Sequence, residues 1–287
     1  MKKILFYVFM LLLPVAASAQ KKQKNNQSCC SMTTVHDQVM LLSMNEAFIA
    51  THLNPEEMTY ESAKGEMITF KADSADGRAF LIKADKPTNL YVFVFQEWWG
   101  LNDYIKKEAE ELQQKLGNVN VMALDLYDSR VATTREEAAK YMGSTTPKRC
   151  MQIINGALAY AGKDAEIATI GWCYGGGWSM QAALLAGKQA KACVIYYGMP
   201  ENNVEKLKTL NCKVLGIFGS EDKFITPEAV KTFEENMKKA GKTLTVKNYN
   251  ADHAFANPSN PKYNEQYRKE AMDLVLEFYK KNFNGKK

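Results

Sequence analysis

Cys173 stands in the run Gly171-Trp172-Cys173-Tyr174-Gly175-Gly176-Gly177, directly after a short β-rich stretch and directly before a helical one. A nucleophile flanked at two positions by the smallest residue is the pattern of a strained strand-to-helix turn, in which a side chain at Gly171 or Gly175 would collide with the backbone. Such a turn lifts the sulfur clear of the sheet and aims helix N-terminal amides at it, which favours a thiolate and offers donors to a developing oxyanion. A phosphate-binding glycine loop would need Walker spacing or an acidic ribose-binding position downstream, and neither is present. A thiol nucleophile needs a base. Only three histidines exist, His36, His52 and His253, and only His253 follows Cys173. It lies in Asn250-Ala251-Asp252-His253-Ala254-Phe255, just past a strand-like run ending at Tyr249, where the carboxyl edge of a parallel sheet gathers its chemistry. The acid that orients the imidazole is expected from another strand end. Asp222, in Gly219-Ser220-Glu221-Asp222-Lys223, has the short carboxylate and the position; Glu221 and Asp252 are the alternatives.

The elements that must position these groups are readable from residue 66 onward. Met67 to Ala72 and Arg78 to Ala84 alternate across an Asp76-Gly77 turn, which predicts an antiparallel hairpin. Leu90 to Phe95 is continuously apolar, as a strand buried on both faces should be. Further strands are predicted at Val119–Leu124, Glu166–Ile170, Ala192–Tyr197, Lys213–Phe218 and Leu244–Tyr249. Helices are predicted at Tyr104–Leu116, Pro147–Ala161, Gly175–Ala186, Pro227–Ala240 and about Asn264–Phe283. Strands alternating with helices of this length mean an α/β protein with a mostly parallel central sheet and helices on both faces. No internal repeat or Pro- and Gly-rich linker interrupts residues 66–283, so they are expected to form one domain. Residues 33–65 carry Met40, Leu41, Met44, Phe48 and Ile49 at helical spacing and are expected to form a helical extension packed on the outside.

Upstream of that extension, Lys2 and Lys3, an apolar run from Ile4 to Val15 and the small residues Ala17-Ser18-Ala19 form the pattern of a cleavable secretory signal over residues 1–19, with the mature chain beginning at Gln20. Residues 20–32 are polar and lysine-rich, which predicts a flexible tether. The expected location is therefore outside the cytoplasm, periplasmic or secreted, with no stable membrane insertion once the signal is gone. Removing Lys2 and Lys3 lowers the formal charge from +5 to about +3, which gives no reason to expect nucleic acid as a partner. A chain of 287 residues builds a core without disulfide staples, so the six cysteines do not define a disulfide scaffold. Cys193 and Cys212 read as small buried hydrophobes, and the pairing of Cys29 and Cys30 is open.

Taken together in this chain order, residues 66–283 resemble the dienelactone hydrolase family, cysteine members of the α/β-hydrolase fold. The resemblance rests on Gln96-Glu97-Trp98-Trp99-Gly100, Asp125-Leu126-Tyr127, the Cys173 run, Gly219-Ser220-Glu221-Asp222 and His253-Ala254-Phe255-Ala256-Asn257. It implies that Glu97 supplies a carboxylate close to Cys173 that helps switch it to thiolate, and that the Trp98 and Tyr174 amides form the oxyanion hole. It implies a small ester or lactone substrate and calls for neither cofactor nor metal. Two departures matter. The family's type enzyme holds its substrate's carboxylate with two arginines; Arg130 stands near the first position with a displacement of one residue, and the second is Asn257. An anionic substrate loses a bidentate clamp, which points away from dienelactone itself. Arg130 and Trp99 remain candidates for substrate contact, within an aromatic wall that Trp98 and Tyr174 would extend. The expected activity is hydrolysis of carboxylic esters or lactones through Cys173, Asp222 and His253. A redox-active thiol, or a member of the fold that binds without turnover, is the alternative.

Overall fold

The computed structural model describes residues 35–283; the expected signal peptide, the tether, Cys29 and Cys30 lie outside the described residues. Helices α1 (Val35–Ser43) and α2 (Glu46–Ala50) come first, followed by β1 (Glu66–Phe70), β2 (Gly77–Ile82) and β3 (Leu90–Phe95). Next come α3 (Asp103–Leu116), β4 (Asn120–Leu124), α4 (Arg135–Ser144), α5 (Pro147–Ala161), β5 (Glu166–Trp172) and α6 (Tyr174–Ala186). The chain continues through β6 (Ala190–Tyr196), α7 (Val204–Lys208), β7 (Lys213–Gly219), α8 (Pro227–Lys239), β8 (Leu244–Tyr249) and α9 (Glu265–Phe283).

One sheet of eight strands runs β1-β2-β4-β3-β5-β6-β7-β8. The β1–β2 and β2–β4 pairs are antiparallel, and every pair from β4 across to β8 is parallel. Parallel neighbours need crossovers, and the helices that supply them cover both faces. Burial follows from this. β4 is wholly buried, whereas the edge strand β8 is exposed or half-buried until Tyr249, its last residue, which is buried. Side-chain N-caps satisfy amides left open in first turns, among them Asn45 on α2, Asn102 on α3, Thr134 on α4, Thr146 on α5, Asn203 on α7 and Thr226 on α8. Pro147 and Pro227 fill first helical positions, where no amide donor is missed.

Helix α6 is buried almost all round, so it sits as a fixed bar against β5, β3 and β6. Its first residue follows Cys173, and the nucleophile candidate is therefore mounted at the start of a buried helix. The N-terminal extension departs from expectation. Instead of packing on the outside, α2 drives Phe48 to complete burial against Trp98, Phe224 and His253. The extension pays its ordering entropy with apolar contact at the carboxyl edge of the sheet, and leaves Leu41 and Met44 exposed on its other side. No helix among the described residues is long and apolar enough to cross a membrane.

Candidate active site

Cys173 has φ +52° and ψ −116°, a backbone conformation that L-residues rarely adopt and hold only when the surroundings over-determine it. Two glycines do so here. A Cβ on Gly171 would lie 2.0 Å from the Gly175 carbonyl oxygen, and one on Gly175 would lie 2.3 Å from the carbonyl oxygen of Phe95, so β5, the turn and β3 close up only without side chains at both positions. The Cys173 amide donates to Tyr196 O at 3.0 Å, which ties the turn to β6.

Around the sulfur the three expected groups converge. His253 Nε2 lies 3.2 Å from Cys173 Sγ, and His253 Nδ1 lies 2.7 Å from Asp222 Oδ2. Since a carboxylate accepts, Nδ1 carries the proton and Nε2 faces the thiol. Asp222 leaves the end of β7, and its other oxygen accepts from the amides of Phe224 and Ile225 at 2.8 and 2.9 Å. Burial pushes the Asp222 carboxyl up, but the charge and hydrogen bond of His253 together with these two amides outweigh it and hold the group below its ordinary value. Burial likewise opposes charging of His253, and the Asp222 carboxylate, then Cys173, overcome it and raise the imidazole well above its ordinary value. Of the alternatives, Glu221 is exposed, and Asp252 accepts from the His253 amide at 2.7 Å and pairs with Lys262, as a turn former does.

Glu97, at the end of β3, is buried, and its carboxylate accepts from Tyr197 Oη at 3.3 Å and from Asn257 Nδ2. Among the described residues these are its hydrogen-bond partners, and the sulfur is not one of them. Burial raises its pKa to about 7; the charge of His253 and the bonds to Tyr197 and Asn257 only partly offset this. Asn257, where the family's type enzyme has an arginine, thus serves Glu97. Tyr174 opens α6, so its amide has no carbonyl within the helix to donate to. Trp98 follows β3 in a turn closed by the Gly100 amide on Glu97 O, and its ring is fully buried. Trp99 and Arg130 do not line the cavity at Cys173. Trp99 lines a separate pocket with Glu97 and Asn257. The Arg130 guanidinium is used locally, donating to Tyr127 O at 2.8 Å and Ser144 Oγ at 3.1 Å and lying over the Tyr141 ring.

Sequence reasoning missed two neighbours. Phe48 packs edge-on against the His253 ring, with centroids 5.7 Å apart, and His52 lies 5.7 Å from the same ring and 4.3 Å from Trp98. His52 Nδ1 donates to Phe48 O at 2.8 Å; burial, and then the nearby His253, push its pKa down to about 3, so it is neutral at physiological pH. The scarcity of histidine was the one signal available for it. With this cover in place the cavity at Cys173, lined by Val39, Leu42, Phe48, Met142, Tyr197 and Met199 among others, measures about 10 Å³, room for roughly one water. Val39 and Tyr174 also border an apolar cleft of about 200 Å³ walled by Val35, Met151 and Trp178.

The sheet order, the central helix behind a strained cysteine, and the acid and histidine beyond the ends of β7 and β8 define an α/β-hydrolase. Residues 78–283 match the dienelactone hydrolase family, and the chain belongs to it. Protein usf of Aquifex pyrophilus is 24% identical over 230 residues, 75% of this chain and 98% of that protein. A carboxymethylenebutenolidase of Pseudomonas sp. (strain P51) is 29% identical over 133 residues, 45% of this chain and 55% of that one. Among solved structures, a dienelactone hydrolase-like promiscuous phosphotriesterase from metagenomic libraries superposes with a TM-score of 0.64 at 19% identity, covering 76% of this chain and 98% of its own, a likeness of fold.

Proposed function

We propose that the chain hydrolyses uncharged carboxylic esters or lactones through an acyl-enzyme on Cys173. The observation that carries this is the continuous Sγ to Nε2 and Nδ1 to Oδ2 contact through His253, at 3.2 and 2.7 Å. Asp222 holds the imidazole in the tautomer that takes the thiol proton and stabilises the imidazolium formed. The thiolate attacks the carbonyl carbon, forming the S–C bond, while the Trp98 and Tyr174 amides receive the oxyanion. His253 then gives its proton to the leaving alkoxide as the C–O bond breaks. In the second half, His253 takes a proton from water, the hydroxide attacks the thioester, and the acid leaves with Cys173 restored.

Substrate class follows from what surrounds the sulfur. The cavity and the adjoining cleft are apolar, Arg130 is engaged elsewhere, and Asn257 is turned to Glu97. Lys206 also lines the cleft but is paired with Glu201 at 3.4 Å, which sets it against a second carboxylate, and an alkyl or aryl group fits beside Trp178 and Met151. An ester is far larger than one water, so α1 and α2 must shift for it to reach Cys173. Glu97, hydrogen-bonded to Tyr197 and Asn257, acts through its charge on His253. The signal read in residues 1–19 would place this activity outside the cytoplasm.

Purified protein assayed with p-nitrophenyl esters and small lactones tests the reading. Intact mass spectrometry is expected to trap an acyl adduct on Cys173 in the wild type, and Cys173→Ala is expected to remain folded and inactive. Cys173→Ser is expected to be poor, because a hydroxyl stays protonated beside a base suited to a thiol. Turnover by Cys173→Ala within about tenfold of wild type would remove the nucleophile assignment.

A further inference from the structure

Sγ of Cys173 and one ring nitrogen each of His52 and His253 lie within 4.8 Å of one another, and all three residues are buried. We propose that they form a binding site for Zn²⁺, with the Cys173 thiolate and the two imidazoles as ligands and a water in the fourth position. One sulfur and two imidazole nitrogens are a donor set that suits zinc over the oxygen-seeking cations. Bonds of about 2.3 Å to sulfur and 2.0–2.1 Å to nitrogen in a tetrahedron place ligand atoms about 3.4–3.6 Å apart. Sγ and His253 Nε2 are at 3.2 Å, so this pair opens slightly to admit the ion, and from the 4.8 Å limit His52 closes by up to about 1.4 Å.

The surroundings of the two histidines match what orients metal-bound imidazoles. His253 Nδ1 donates to Asp222 and His52 Nδ1 donates to Phe48 O, which leaves each ring its lone pair on Nε2. The proposed hydrolysis makes no use of His52, and among the described residues the hydrogen-bond partners of its side chain are the Phe48 carbonyl and the Thr51 hydroxyl. On binding, the S–H bond breaks, the sulfur pair forms the Zn–S bond, and one proton leaves to solvent for each ion bound.

The ion would join three separate parts of the chain: the segment after α2, the turn before α6 and the loop after β8. It would also occupy both the sulfur and the His253 lone pair. Metal binding therefore closes the site to ester, shields the thiol from oxidants and pins the cover in place. The loss of turnover rests on Cys173 being the nucleophile; the binding does not.

The test uses the full chain with Cys29 and Cys30 both changed to Ser, stripped of metal, with Co²⁺ as spectroscopic probe and Zn²⁺ as competitor. Expected are one ion per chain, the intense visible absorption of four-coordinate Co²⁺ and a near-ultraviolet thiolate-to-cobalt band that Zn²⁺ erases. Cys173→Ala should lose the thiolate band. His52→Gln should weaken binding by at least about 100-fold, since loss even of an outer-shell partner costs about 10–100-fold. Zn²⁺ should also slow alkylation of Cys173 by iodoacetamide and protect the amides of residues 46–52 from hydrogen exchange, a reading that stands even if His52→Gln fails to fold. Only six-coordinate Co²⁺ spectra, or Zn²⁺ affinity unchanged in folded His52→Gln, or slowed alkylation without amide protection, would overturn the site. Ester turnover in chelator-treated buffer reads the hydrolase proposal separately, so an inactive protein with the cobalt–thiolate band would sink that proposal and leave this one standing.

Discussion

Replacing Glu97 with Gln is expected to stabilise the protein at alkaline pH and to leave it unchanged in acid. Glu97 is buried, and its pKa is raised from 4.5 to about 7. A carboxyl with a raised folded-state value binds its proton more tightly when folded. As pH rises through 4.5 the unfolded chain releases that proton first, and stability falls until the folded group also ionises near 7; above that the loss is complete. A gap of roughly 2.5 pKa units corresponds to about 3 kcal/mol. Glutamine mimics the protonated acid: its oxygen accepts from Asn257 and its NH₂ donates to the Tyr197 hydroxyl, so no partner is lost. The difference between variant and wild type cancels the titrating groups that do not interact with Glu97. It should be near zero at pH 4 and about 3 kcal/mol in favour of Gln at pH 8.5, equivalent to roughly 6–12 °C in Tm for a domain of this size. Urea melts of both proteins across that range are the assay. A gap that stays flat with pH, or a wild type more stable at pH 8.5, would refute the argument that burial dominates this carboxyl.

Three further outcomes are expected. Asp222→Asn keeps the geometry but favours the wrong His253 tautomer, and kcat should fall by about 10⁴ with little loss of fold, read by ester assay and circular dichroism. Gly171→Ala should cost both stability and turnover, because its Cβ would meet backbone at 2.0 Å; an active variant with an unchanged Tm would contradict the described turn. Phe48→Ala removes a fully buried ring from above His253 and should cost about 3–5 kcal/mol while speeding alkylation of Cys173; equal alkylation rates would show that this ring does not cover the sulfur.

Much of this was legible before the structure, for a reason that can be named. The apolar run Leu90–Phe95, the β1–β2 hairpin and the glycines around Cys173 are signals a few residues long, and local physics is enough to interpret them, although the hairpin turns at Asp73–Ala75 and not at Asp76-Gly77, where Gly77 already pairs with Phe70 in the ladder. The acid and the histidine follow because each comes directly after a strand whose carboxyl end must face the same edge. Helix α4 was overlooked although Thr134 and Glu137 form a capping box, a sign as local as any. Phe48 and His52 are different. Their partners, Trp98, Phe224 and His253, lie far along the chain, and nothing in residues 33–65 says which face of the domain they will meet. Glu97 is similar in detail, since nothing local to it says that Tyr197 and Asn257, far along the chain, will be its hydrogen-bond partners.

The cover over Cys173 also bears on when during the life of a molecule the thiol becomes special. Phe48 and His52 are synthesised early, the cysteine much later, and His253 close to the end, so none of the three can influence another until nearly the whole chain exists. Before that moment Cys173 is an ordinary cysteine on an unstructured polypeptide, without a base, a strained backbone or an aligned helix to sharpen it. The proposed base and the aromatic cover both reach the sulfur only when segments distant in the chain have met. A chain halted partway, or one still unfolded, carries no activated sulfur to be spent on the wrong target.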